Sequence, residues 1–218
     1  EVKAVDVTQE FISRIVSCKA ANRIERVLKL IAIDYMKNNT APFEAIGSDV
    51  AGVCVTRSGN QYPGEMFVWN AYESIEAAYI ASQKYDPMTP NKQFEKLRKV
   101  KYAATWKPVK EFELRPGYER LWRLKLNDWR AFAKKMEELE AALSAAGHDM
   151  RLGVFYPLGG GTEVFHLRAV TDTASQSGKV ADDYFAGASY GKIWDASMQY
   201  VDEVVSETVE ECEIIYTK

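Results

Sequence analysis

Histidine is almost missing from this chain. The two it has, His148 and His166, are too far apart to share a metal by any familiar spacing, and neither an HExxH nor a facial-triad pattern occurs. Cysteine is nearly as scarce. Cys18, Cys54 and Cys212 form no CxxC, which excludes a zinc ribbon and a thioredoxin-type motif. Three is an odd number and the spacings are wide, so a disulfide framework is not expected. The three read instead as small buried strand residues. Glycines cluster once, in LGGGT at 158–162, between two strand-like runs rather than at the start of a helix. That places a hairpin turn there and leaves a phosphate cradle unsupported. No GxSxG and no Cys-His pattern points to a nucleophilic hydrolase. No apolar run approaches the roughly 20 residues of a membrane helix, so membrane insertion is not expected. Acidic residues outnumber basic ones, 31 to 28, which argues against nucleic acid as a partner. Nothing calls for a cofactor.

What remains is ordinary globular material. With 218 residues, 47% of them hydrophobic, the chain can bury a core as one large domain or two small ones. It opens EVKAVDVTQE, without methionine and without an apolar leader core. An exported protein after leader removal is the expectation, with a trimmed cytoplasmic chain as the alternative.

Along the chain, EFISRIVSCK (10–19) reads as a strand, and 20–39 as a helix with apolar residues at helical spacing. That helix ends before Pro42. A short connecting segment leads to VAGVCVTR (50–57), which pairs with EMFVWNAY (65–72) as a hairpin. Helix follows over 74–85, capped by Ser74, and again over 91–100. A strand is expected within 101–114. After Arg115-Pro116-Gly117 the order restarts: a strand at 118–127, a helix at 128–147 between an Asp128 cap and Gly147, a hairpin at 151–157 and 163–170, helices at 177–186 and 192–205, and a last strand at 209–217. Gly64 and Gly161 lie 97 positions apart, and the same offset aligns the hairpin strands and carries Phe112 onto Val209. Under it, Trp69 meets His166.

Each half therefore has the order β-α-β-β-α-β, the ferredoxin-like unit, whose four-stranded antiparallel sheet carries helices on one face and needs a cover for the other. Two such sheets can cover each other. At this point the chain resembles the dimeric α/β-barrel (ferredoxin-like) superfamily, fused in tandem, and in particular NIPSNAP-like and antibiotic-biosynthesis-monooxygenase-like proteins. The resemblance spans about residues 10–218 and rests on the hairpins VAGVCVTRSGNQYPGEMFVWNAY and RLGVFYPLGGGTEVFHLRAV. It implies an α+β fold with antiparallel sheets packed face to face as a pseudo-dimer. The domains are then a lead (1–9), a first repeat (10–114), a linker (115–117) and a second repeat (118–218). The superfamily holds cofactor-independent monooxygenases, haem-using enzymes that supply a helical histidine, isomerases, and members without settled chemistry. Their ligands sit between sheet and helices.

Strand alternation sorts the faces. Trp122, Leu124 and Leu126 share one face, and Leu121, Arg123, Lys125 and Asn127 the other. Phe165, Leu167 and Ala169 lie opposite Val164, His166 and Arg168. Apolar faces pack on helices, so Arg123, Lys125, His166 and Arg168, with Tyr156, should gather between the sheets. There they would suit an acidic or phenolic ligand, with His166 as the base. The alternative is that the cations reach solvent past the sheet edge and His166 is a bonded core residue. The resemblance adds Trp69 and Asn70 as residues that position an aromatic substrate. Three readings stand side by side: a protein that binds a small organic molecule, a cofactor-independent monooxygenase or isomerase, and an assembly module that forms a homo-oligomer through sheet edges.

Overall fold

A computed structural model describes residues 12–19, 25–86, 92, 97 and 99–218. The first half contains β1 (Ile12–Lys19), α1 (Glu25–Asn38), α2 (Ala41–Ala45), β2 (Val50–Ser58), β3 (Met66–Tyr72), α3 (Ile75–Lys84) and β4 (Lys99–Pro108). The second contains β5 (Gly117–Leu126), α4 (Trp129–Ala145), β6 (Arg151–Leu158), β7 (Phe165–Thr171), α5 (Ala174–Phe185), α6 (Gly191–Ser197), a 3-10 turn (Met198–Tyr200) and β8 (Val201–Thr217). The lead, 10–11, 20–24 and most of the helix expected over 91–100 lie outside the described residues.

Local chemistry explains most of the element ends. Ser74 accepts a hydrogen bond from the Ala77 amide at 3.0 Å, and Asp128 one from Ala131 at 3.0 Å, each satisfying an orphan N–H at a helix start. Thr173 and Gln176 form a reciprocal capping box on α5. Gly147 closes α4 at φ 84°, a conformation that costs other residues.

The strands pair in the order β4-β1-β3-β2 in the first half and β8-β5-β7-β6 in the second. All ladders are antiparallel. The two groups of four do not stay apart as separate facing sheets. β2 pairs with β8, and β4 with β6, so the edges meet and one closed eight-stranded barrel results. Closure gives each described strand a neighbour on both sides, so none is left as the outer strand an open sheet would have to protect.

The wall of this barrel has two sides. Outside, α4 lays Phe132, Met136, Leu139 and Leu143 on Trp122, Leu124, Leu152, Val154, Leu167 and Ala169. Each of these large side chains contributes roughly 1.5–3 kcal/mol by leaving water. In the first half, Ala32, Ile33 and Met36 of α1 and Phe43 of α2 cover Ala51, Val53, Met66 and Val68. Inside lie Cys54, Phe67, Ala104, Trp106 and Phe155.

Four expectations need correction. The connecting segment after Pro42 begins with a helix, α2, because proline at a first-turn position ends one helix and suits the start of the next. The strand expected within 101–114 stops at Pro108. The helix expected over 192–205 ends at Ser197, and the chain is extended from Val201. Its valines fit a helical spacing, but they are β-branched, and β8 is long enough to pair with β5 along one stretch and β2 along another. Finally, Cys54 and Cys212 form a disulfide across β2 and β8, 158 positions apart in sequence. Barrel closure sets them directly opposite one another, which no spacing rule could have shown.

Candidate functional site

Alternate residues of β5 and β7 point to opposite sides of the wall, and two distinct environments result. Inside the barrel, Arg123 and Arg168 are only 5% and 6% exposed and His166 1%. The cations do not escape past the sheet edge. Lys125 does: it is exposed and meets Glu203 at 2.6 Å, next to irregular register between β5 and β8.

The buried charges come with partners. Glu163, in the β6–β7 turn, takes His166 Nε2 at 3.1 Å and Arg123 Nε at 3.3 Å on the same Oε2. Tyr102 of β4 also hydrogen-bonds Glu163 and Arg123. Trp106 lies against the imidazole with ring centroids 4.4 Å apart, and the Phe67 ring lies 5.3 Å from the Arg123 guanidinium. Further along the barrel, Arg168 pairs with Glu119 and reaches Glu210 Oε2 at 3.9 Å. Thr208 donates to Glu210 Oε1 at 3.0 Å.

Burial sets the protonation states. It lowers the pKa of His166, the charges of Arg123 and Arg168 lower it further, and the Glu163 bond opposes them, leaving about 3. The ring is therefore neutral near pH 7, its proton sits on Nε2 towards Glu163, and Nδ1 has no hydrogen-bond partner. Burial pushes Glu163 up, but the bonds and charges of His166, Tyr102 and Arg123 outweigh it and hold the carboxyl at about 2. Burial raises Tyr102, and burial with the neighbouring Glu119 raises Glu210. An imidazole at about 3 is a weak proton acceptor near neutrality. The space inside is also small: a cavity of about 50 Å³ touches Cys54, Trp69, Glu119, Arg168 and Cys212 but not His166.

The outer face offers more room. Between the strands of the second half and α4, α5 and α6 lies a cavity of about 300 Å³. Trp122, Leu167 and Ala169 form its floor, Leu139, Leu143 and Val180 its walls, and Tyr184, Tyr190 and Trp194 its aromatic side. Trp122 and Trp194 are 5.4 Å apart between centroids. Arg120 stacks over Trp122 at 4.6 Å while pairing with Glu207 at 2.6 Å, and Phe185 stands 82% exposed beside the opening. Tyr190 donates to the Val180 carbonyl at 2.6 Å and Tyr184 to Asp195 at 2.8 Å, so both rings are held in place.

The expected site residues thus divide. Arg123, His166, Arg168 and Trp69 face the barrel interior. Asn70 is buried on the outer, helix-facing side of β3, in the row of Met66 and Val68. Tyr156 is also outside, edge-on to Trp129 and Phe165. Sequence reading missed the interior carboxylates Glu119, Glu163 and Glu210 and the phenol Tyr102. The alternation that placed Arg123 would have placed Glu119 on the same face, four residues earlier on β5. The aromatics of α5 and α6 carry no sequence signal that separates them from ordinary core.

Haem, implied by some of the resembling proteins, is not matched by the donors present. No histidine lines the 300 Å³ cavity, and His148 is 3.2 Å from Asp183 and edge-on to Tyr190 in the turn before β6.

No family model matches this sequence, and no curated protein does. Solved structures match along almost the whole chain. An anthrone oxidase-like protein is 8% identical, with 98% of this chain and 96% of that one covered, at a TM-score of 0.60. A protein described as a candidate monooxygenase from Lactobacillus acidophilus is 11% identical, covering 95% of each chain, at 0.58. A mutant chlorite dismutase from Candidatus Nitrospira defluvii is 8% identical, covering 94% and 92%, at 0.57. At these identities the likeness concerns the fold: an α+β, ferredoxin-type architecture shared by chlorite dismutase-like and monooxygenase-like proteins.

Proposed function

We propose that the protein binds a small, flat, mostly apolar organic molecule in the cavity between the second-half strands and α4, α5 and α6. The cavity itself carries this reading. Its size is at the lower end of small-molecule sites, its lining is apolar and aromatic, and Arg120 at the rim suits a carboxylate or phenolate on one end of the guest. The chain is read with it as a tandem fusion, since the strands of each half hydrogen-bond in the same relative order.

Tryptophan emission tests the binding, because Trp122 and Trp194 border the space. Anthrone and anthraquinone carboxylate are suitable probes, and saturable quenching is the expected result. Ala181→Phe, which puts a ring into the cavity from α5, should weaken binding by more than about tenfold and leave the fold intact. Equal quenching in the variant would sink the assignment. A second reading is oxygenation of the bound molecule, supported by the likeness to the anthrone oxidase-like protein and to the monooxygenase candidate. Oxygen consumption with anthrone, absent in Ala181→Phe, is its signature.

A further inference from the structure

The barrel interior brings four metal-type donors to one point. β8 contributes Glu210 and Cys212, β2 contributes Cys54 opposite Cys212, and β5 contributes Glu119 opposite Glu210. One ligand atom of each lies within 4.8 Å of the other three. We propose that this is a redox-gated zinc site: the protein holds one Zn²⁺ when Cys54 and Cys212 are reduced and none when they are joined.

Three observations support it. The donor set, two sulfurs and two carboxylate oxygens, matches the number and types that a tetrahedral Zn²⁺ takes. With bonds of about 2.1–2.3 Å, such donors stand about 3.6 Å apart, so the two sulfurs must part once their bond is broken, while the carboxylate oxygens draw in by no more than about an ångström. Secondly, Glu119 and Glu210 are buried side by side, and the Glu210 Oε2 has Arg168 no nearer than 3.9 Å. Two buried carboxyls cannot both ionise without cations beside them, and a divalent ion between them supplies that charge. Thirdly, the cavity of about 50 Å³ touches Cys54, Cys212 and Glu119. It accommodates an ion or a water and is far smaller than an organic guest needs.

The gate follows from sulfur chemistry. Each sulfur of a disulfide is bonded to the other and is no thiolate, so the oxidised pair cannot ligate. A dithiol reductant supplies two electrons and two protons, breaks the S–S bond to leave two thiols, and is itself oxidised to a cyclic disulfide. Zn²⁺ then displaces the two thiol protons to solvent and binds both thiolates. Arg168, which now serves Glu119 and Glu210 as counter-cation, keeps its place as the balancing charge of a site with four anionic ligands.

The test uses the full chain carrying Cys18→Ser, so that only the two site thiols remain. Reduced protein should bind one equivalent of Zn²⁺ in competition with a chromophoric chelator. Co²⁺ in its place should give a thiolate-to-cobalt charge-transfer band and the intense visible bands of tetrahedral coordination. Oxidised protein should bind neither. Glu210→Gln should weaken Zn²⁺ by more than about tenfold, the least that even an outer partner of a metal site costs. Four results overturn the proposal: no stoichiometric ion in the reduced protein, a cobalt spectrum without the thiolate band, equal binding by the oxidised protein, or loss of the folded circular-dichroism signal on reduction.

Discussion

Inside the barrel, Arg123, Arg168, Glu119, Glu163 and Glu210 are packed against one another. On the outer face of the same strands, Trp122, Leu167 and Ala169 border open space. Neighbouring residues of β5 and β7 therefore have opposite roles, separated only by the direction in which each side chain leaves the strand. The interior has the charges and little room. The exterior has the room and aromatic walls, and its one close cation, Arg120, sits at the rim. Polar residues that look functional in a sequence can be consumed by each other, while the residues that leave a vacancy look like ordinary core.

Breaking the interior should have the largest effect. Arg168→Met leaves Glu119 and Glu210 buried without their cation and should cost about 3–5 kcal/mol, read from urea unfolding. A cost below about 1 kcal/mol would mean that the interior is wetter than the burial of these groups implies. Trp122→Ala at the outer cavity should remove probe binding and, since the ring already borders open space, cost less than Arg168→Met.

Next comes the pH dependence of the His166 pair. The imidazole titrates at about 3 in the folded protein and near 6.5 when unfolded, so the unfolded chain binds the extra proton between those values. Stability contributed by His166 is thus complete above about pH 6.5 and falls as pH drops towards 3. Glu163, at about 2 against a usual 4.5, adds a further loss below about pH 4.5. Glu210, raised by burial, acts in the opposite sense, its contribution fading as pH rises above the ordinary carboxylate range. Burial raises Tyr102; it would lower Arg123, but Tyr102 and Glu163 outweigh it and raise Arg123, so neither of these neighbours titrates in this window. His166→Gln isolates the first component. Between about pH 6.5 and 4.5 its stability curve should be flatter than wild type by up to about 1.4 kcal/mol per pH unit. Parallel curves would show that the ring is already protonated in the fold.

The smallest effect tests exposure. Lys125→Ala removes an ion pair with both partners in solvent and should change stability by less than about 0.5 kcal/mol, in contrast with the buried pair between Glu119 on the same strand and Arg168 on the neighbouring one.

The sequence by itself determined the local elements and their order. Capped helix starts at Ser74 and Asp128, the glycine stop at 147 and the two hairpins are set by neighbours within a few residues, and so were legible. So was the sorting of Arg123, His166 and Arg168 away from Trp122, Leu167 and Ala169, because period-two alternation needs no knowledge of what lies opposite. Tertiary structure decided everything that depends on which strands become neighbours. The extended course of Val201–Thr217 exists because β5 and β2 are there to pair with it. The Cys54–Cys212 bond, the meeting of Glu119 with Glu210 and the join of β4 to β6 arise from barrel closure, between positions too distant in sequence for any local pattern to connect. The cavity is decided last of all, since an empty volume is what packing leaves over and no residue encodes it alone.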